Sequence, residues 1–160
     1  MEKPVKKVSD SALANQLYII FPQDLNPNGT AFGGTVMAQA DKVAGLVARR
    51  HSGQNCVTAY VNGFRFLSPA HRGEVLIFNA SLNRVWQSSM EIGVKVFAEN
   101  YQTGEKRHVV SAYYIFVPIN ENHRPMPVQY GLIPETEKEK QRWEAADKRR
   151  FHRLQEKTRK

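Results

Sequence analysis

The sequence predicts an α+β domain, an antiparallel sheet packed against one long helix. Three observations carry this. The stretch from about Thr35 to Arg50 holds Val36, Met37, Ala38, Ala40, Val43, Ala44, Leu46, Val47 and Ala48, which point in nearly every direction at about 100° per residue, as in a helix that a sheet wraps. Four β-rich segments follow it in succession: Cys56–Leu67, Glu74–Val85, Ser88–Asn100 and Lys106–Ile119. The breaks between them are short enough for hairpin or meander turns in at least the last two cases, which favours antiparallel neighbours.

In chain order, a charged lead gives way to a short apolar strand, Gln16–Phe21, stopped by Pro22. Gln23–Gly34 is rich in turn formers: Asp24, Asn26, Pro27, Asn28 and Gly29, then Gly33 and Gly34. The helix follows, and Arg49, Arg50 and His51 with Gly53 behind them mark its C-terminus. The strand breaks carry Pro69 and Gly73, then Gln87, then Thr103 and Gly104. Beyond Pro134 a polar helix begins with acidic residues and ends with basic ones, as the helix dipole favours. Its Trp143, Phe151 and Leu154 suit packing on a neighbouring subunit or on the domain surface. The expected division is a domain at 1–133, with its core at about 16–120, and a charged helical extension at 134–160.

Composition bounds the function. The chain has 160 residues, 41% of them hydrophobic, the size of one globular domain with an appendage. Its apolar runs are broken well short of the ~20 residues a membrane span needs, and the N-terminus opens with charge, so a cytoplasmic protein with no membrane partner is expected. The net charge is +8, and half of it lies in the last 27 residues, where acidic residues are interspersed, so nucleic acid is not expected as a partner. The single Cys56 leaves no disulfide and no cysteine-cluster zinc site and reads as core beside Val57. The five histidines show no HExxH spacing, and no metal is expected.

Two features carry chemistry. Asp41 lies on the otherwise apolar helix, where a carboxylate reaches an edge, finds a partner, or is kept for reaction, since an unpaired buried charge is costly. Gly33 and Gly34 leave backbone N–H groups bare at the helix start, suited to an anionic or polarised oxygen. No GK[ST] follows the glycines and no GxGxxG is present, so neither a P-loop nor a dinucleotide fingerprint applies. A glycine-lined helix start followed by a carboxylate fits an oxyanion hole with a general base or nucleophile.

The run Asn26-Pro-Asn28-Gly29-Thr-Ala-Phe32-Gly33-Gly34-Thr-Val-Met37-Ala-Gln39-Ala-Asp41 resembles the signature of the hot-dog-fold acyl-CoA thioester hydrolases. The likeness continues through Asn62-Gly63-Phe64-Arg65-Phe66-Leu67-Ser68-Pro69, Arg72-Gly73-Glu74-Val75, Ser88-Ser89-Met90-Glu91-Ile92, Ala112–Ile119 and the charged C-terminal helix, over roughly residues 16–152. Asn62 stands where the family tends to carry Asp, and Trp86-Gln87 where it carries Gly-Arg, both where the CoA arm is expected.

The resemblance implies a long helix wrapped by a curved antiparallel sheet, dimers whose sheets join, and assembly into a trimer of dimers. It implies hydrolysis of acyl-CoA to free fatty acid and CoA, with Asp41 catalytic and Asn26 assisting from the facing protomer. The Gly33 and Gly34 N–H groups would polarise the carbonyl, and Thr58, Asn62, Ser88, Ser89 and Arg84 would line the CoA arm. No cofactor is implied beyond the CoA of the substrate. Gly33 and Asp41 lie ~12 Å apart along one helix, so one carbonyl meets both only if two chains share the site. A non-hydrolytic acyl-CoA binder of the same fold is the alternative, and retention of both Asp41 and Asn26 speaks against it.

Overall fold

Alternation along the long strands sets the architecture. In strand β4 (Val75–Val85), Leu76, Phe78, Ala80 and Leu82 are buried in the core, while Asn79, Ser81 and Asn83 face the other way. The computed structural model describes residues 2–159. Strands β1 (Val5–Lys7), β2 (Leu13–Ile19), β3 (Cys56–Phe66), β4, β5 (Met90–Glu99), β6 (Lys106–Pro118) and β7 (Gly131–Ile133) are joined by helices α1 (Gly33–Ser52) and α2 (Glu137–Thr158). Five strands form an antiparallel sheet in the order β2-β4-β5-β6-β3. Val36, Ala40, Ala44, Val47 and Ala48 of α1 meet its apolar face in one core cluster with Ile92, Val94, Ala112 and Phe116.

The four long strands lie where the sequence places them, within a residue or two. Strand β2 begins at Leu13, earlier than the expected Gln16, and α1 begins at Gly33 because extended Phe32 already serves as its N-cap. Gly53 ends α1 at φ 66°, its N–H donating to the Arg49 carbonyl at 2.8 Å, the left-handed cap that glycine favours. The β1 and β7 strands pair in parallel in a separate two-stranded ribbon, Val5 opposite Gly131, which nothing local in the sequence announces.

The sheet wraps α1 as expected, and within a single chain one side of the helix stays open, with Met37 38% exposed and Leu46 46% exposed. Five strands cover one side of a helix about 10 Å wide. The uncovered side adjoins β3, the sheet edge, where Val57, Val61, Phe66 and Leu67 are also exposed.

The outer face of the sheet carries helix α2. Thr136 caps it reciprocally with Glu139, and Ala146 is fully buried beneath it. Asp147 accepts hydrogen bonds from Arg84 Nε and Trp86 Nε1, each at 2.9 Å, while the Arg84 guanidinium lies 3.8 Å from the Trp143 ring centroid. Glu91, fully buried on β5, accepts from Asn83 at 3.0 Å and from Arg149 at 2.6 and 3.1 Å. The extension therefore docks on its own sheet. Among the described residues no helix is long and apolar enough to cross a membrane.

His51, at the end of α1, is fully buried, with Nε2 3.1 Å from the Tyr130 carbonyl and Nδ1 unpartnered. Burial holds its pKa below the ordinary 6.5, so the ring is neutral in the fold. A carbonyl only accepts, so Nε2 carries the proton.

Two outcomes follow for stability. Arg149→Met strands the buried Glu91 carboxylate and costs about 3 kcal/mol in urea denaturation, and adding Glu91→Gln to it recovers much of the loss. The folded state holds fewer protons on His51 than the unfolded chain does, so stability is complete above pH 6.5 and declines below it, by up to about 1.4 kcal/mol per pH unit. His51→Gln keeps a donor toward Tyr130 and removes that slope.

Candidate active site

The loop leading into α1 is built from its own side chains. Buried Asp24 accepts from the Phe21 N–H at 2.9 Å and the Tyr18 hydroxyl at 2.8 Å, and its carbonyl accepts from the Phe32 N–H at 2.7 Å. Asn26 closes the next turn: its Oδ1 accepts from the N–H groups of Asn28 (2.9 Å) and Thr30 (3.2 Å), and its Nδ2 donates to Thr30 Oγ1 at 2.9 Å. One Nδ2 hydrogen of Asn26 remains available. The chain then enters α1 with no side-chain cap, and the Gly33 and Gly34 N–H groups have no acceptor among the described residues.

Gly33 borders a cleft of about 450 Å³ that Asn26, Val36, Phe66, Leu67 and Val110 also line, among others. A Cβ at Gly33 would stand 3.0 Å from Phe66 Cζ, and one at Gly34 would stand 2.5 Å from Phe32 Cε1. Side chains there would push both rings.

Asp41 sits about two turns along the same helix. Its Oδ1 accepts from Thr58 Oγ1 at 2.5 Å. Thr58 pairs with Phe116, whose ring packs on Gly45 of α1, so both face the helix. A bulge follows, and Tyr60 pairs with Ile115 on the outer face instead. Buried Tyr114 donates its hydroxyl to the Met37 carbonyl at 2.9 Å, one turn before Asp41. Burial, and then the charge of Asp41, push the Tyr114 pKa far up, so it remains a donor. Neither Asp24 nor Tyr114 was singled out from the sequence. Asp24 reads there as an ordinary turn residue, and Tyr114 as one more inward position on a strand.

The expected site residues fall into four places. Asn26 and Gly33 line the cleft, with Gly34 next in the helix, and Asp41 meets Thr58 further along the same helix at the edge strand. No hydrogen bond joins Asn26 to Asp41 within one chain. Asn62 lies half-buried on β3 opposite Tyr113. Arg84, Ser88 and Ser89 belong to the outer face and the β4–β5 turn, where Arg84 is held by Asp147 and Trp143 and Ser89 accepts from Arg150 at 3.2 Å.

Other candidates are structural. Burial raises the Cys56 pKa, so its thiol is inert at neutral pH. His108 Nε2 lies 2.9 Å from the Val110 carbonyl, and its ring stacks on Phe97. Arg107 grips both oxygens of Glu74 at 2.9 Å.

This fold has known counterparts. The thioesterase superfamily model matches residues 28–105. An uncharacterised acyl-CoA thioester hydrolase of Bacillus subtilis (strain 168), YkhA, is 33% identical over 139 residues, which cover 87% of this chain and 80% of that protein. A crystal structure of an apo-hexameric acyl-CoA thioesterase superposes with a TM-score of 0.91 at 32% identity, over 96% of this chain and 97% of that one. The acyl-CoA hydrolase of Staphylococcus aureus, in complex with butyryl-CoA, CoA and CoA disulfide, superposes with a TM-score of 0.85 at 31% identity, over 97% and 96%. Structures of the Staphylococcus protein also exist with one asparagine, one aspartate or one threonine replaced by alanine, at 29–30% identity. Those three positions are separated by 15 and 17 residues, the same intervals that separate Asn26, Asp41 and Thr58. The chain belongs to the acyl-CoA thioester hydrolase family, within the thioesterase superfamily, and its helix-on-sheet architecture is the hot-dog fold.

Tyr114→Phe removes a buried hydrogen bond to the turn that carries Asp41 while keeping the ring's packing. The expected cost is about 1 kcal/mol of unfolding free energy, read by denaturant titration.

Proposed function

We propose that the chain hydrolyses acyl-CoA thioesters to a free acid and CoA at sites shared between two copies. The observation that carries this reading is the placement, on one rigid helix, of unpartnered Gly33 and Gly34 N–H donors ~12 Å from the Asp41–Thr58 pair. Each half lacks what the other has. Two helices packed antiparallel across a two-fold axis bring the donors of one copy to the Asp41 of the next.

At such a site the thioester oxygen accepts from the Gly33 and Gly34 N–H groups, where the helix dipole favours developing negative charge. Asn26, fixed by its own turn, offers its remaining Nδ2 hydrogen to the same oxygen or to the water. Asp41 of the facing copy, oriented by Thr58, removes a proton from the attacking water or itself adds to the carbonyl carbon. The C–S bond breaks, and CoA leaves as a thiolate, a weak base that departs without metal assistance; where Asp41 has added, water then opens the resulting anhydride, releasing the acid and restoring the carboxylate. The cleft beside Asn26, whose apolar lining includes Val36, Phe66 and Val110, suits the acyl chain. The reaction as written uses no cofactor beyond the CoA of the substrate.

The exposed edge of β3 and the uncovered side of α1 supply the two-fold contact, with Val57, Val61, Met37 and Leu46 as its apolar area. Three dimers then make a hexamer, in line with the hexameric relative. The reading places the protein in the cytosol, acting in fatty acid metabolism.

Thiol release from short, medium and long acyl-CoAs tests the activity. Asp41→Asn is expected to lower turnover by about 10²-fold or more with assembly intact. Mixing Asn26→Ala and Asp41→Ala proteins under subunit exchange is expected to restore part of the activity, because some interfaces then hold one complete site. Normal turnover by Asp41→Asn, or no recovery despite proven exchange, overturns the assignment.

A further inference from the structure

The five-stranded sheet has two edges, and the second of them, β2, is also bare. Leu17 is 68% exposed and Ile19 53% exposed, with Phe21 half exposed beyond them. Leu17 pairs with Ile77 and Ile19 with Val75, and Ile77 is buried outside the core cluster, so these side chains lie on the outer face of the sheet. Phe97, opposite Ile77 on β5, extends the same apolar row. A hollow of about 430 Å³ opens among Leu17, Ile19, Phe21 and Val75.

No other part of the described chain covers this ground. Helix α2 meets the sheet through Arg84, Trp86 and Glu91, toward the Val85 end of β4, while Ile19 meets β4 at Val75. The length of β4, ~33 Å, separates those two ends. Edge strands that face water commonly carry charge, lysine above all, which keeps other chains away. Here no charged residue lies between Asp10 and Asp24, and from Gln16 to Ile19 the strand holds regular register with β4. An apolar, uncharged and regular edge of this kind marks a contact surface.

The patch itself selects its occupant. With no charge of either sign it offers nothing to a charged partner, and nothing in it repels a copy of itself. The hexamer described above needs a contact besides the β3 and α1 face, and β2 lies at the opposite edge, free of that face. Two different faces on one chain, each meeting its own kind across a two-fold axis, close three dimers into a ring. We propose that the outer face of β2 docks on the same face of a chain in the neighbouring dimer and thereby clamps the donor end of the reacting centre. Tyr18, between Leu17 and Ile19, turns toward the core and donates its hydroxyl to one oxygen of Asp24 at 2.8 Å, and the Phe21 N–H donates to the other at 2.9 Å. The Asp24 carbonyl in turn accepts from the Phe32 N–H at 2.7 Å, where α1 begins. A neighbour seated on Leu17, Ile19 and Phe21 therefore steadies the loop that carries Asn26 and leads to Gly33. The effect on turnover, though not the contact, rests on the thioesterase reading above.

The test uses full-length Leu17→Lys/Ile19→Lys, two positions exposed in the single chain, with circular dichroism to check the fold. Sedimentation velocity reads the assembly: the wild type runs as a hexamer and this variant as a dimer. Val57→Lys/Val61→Lys, at the β3 edge, also gives dimers, now joined through β2, and all four substitutions together give monomers. Thiol release from acyl-CoA falls about tenfold in kcat in the β2 variant, whose shared sites persist without the clamp. The β3 variant, with no shared site, loses turnover. A β2 variant that stays hexameric overturns the proposal, as does a wild type that never exceeds a dimer. Monomers from the β3 variant alone overturn the pairing of like faces. Dimers of the β2 variant that turn over at the hexamer's rate overturn the clamp. Where either lysine pair fails to fold, threonine at the same two positions, a good strand former, replaces it and must weaken the same contact by about tenfold or more. A wild-type protein that hydrolyses no thioester refutes the functional reading but leaves the sedimentation result decisive for the contact.

Discussion

The fixed rise of helix α1 is the constraint on which the rest depends. A helix advances about 1.5 Å per residue, so the Gly33 and Gly34 donors and the Asp41 carboxylate cannot be brought to one atom by any local adjustment. The helix is held rigid by small buried residues, Ala40, Ala44 and Ala48 among them, packed on the apolar side of five strands. In the proposed arrangement, which uses both ends of this segment, one of them comes from a second copy. The open side of α1 and the unpaired edge of β3 are the surfaces through which that borrowing can occur.

The neighbourhood of Asp41 shows how a carboxylate is kept on an apolar helix. It is neither deeply buried nor free: Thr58 supplies one charge-assisted hydrogen bond from the edge strand, and Tyr114 braces the preceding turn through the Met37 carbonyl. Asp24 and Asn26 do the corresponding work in the loop, using side-chain oxygens to satisfy the backbone N–H groups of Phe21, Asn28 and Thr30. The Gly33 and Gly34 donors stay open at the start of α1, and a Cβ at either glycine would crowd a phenylalanine ring.

On the outer face, helix α2 converts a basic tail into part of the domain. Arg84 and Arg149 find Asp147 and Glu91. Arg150 and Arg153 lie beside aromatic rings, those of Trp86 and Tyr60.

Much of this was legible in the sequence. Alternation marked the four long strands, all-round apolarity marked α1, and Gly53 marked its end, because these are properties of neighbouring residues. The glycine pair and Asp41 stood out for the same reason, as residue types at odds with their surroundings. Tertiary structure alone decided who partners whom. The parallel pairing of Val5–Lys7 with Gly131–Ile133 spans most of the chain, and the Tyr114–Met37 bond joins a strand to a helix 77 positions away. Arg84 could be seen as a candidate phosphate ligand, but not that Asp147 and Trp143 would occupy it. Periodicity determines which way a side chain points from its own backbone, whereas the atom it meets depends on how distant segments pack.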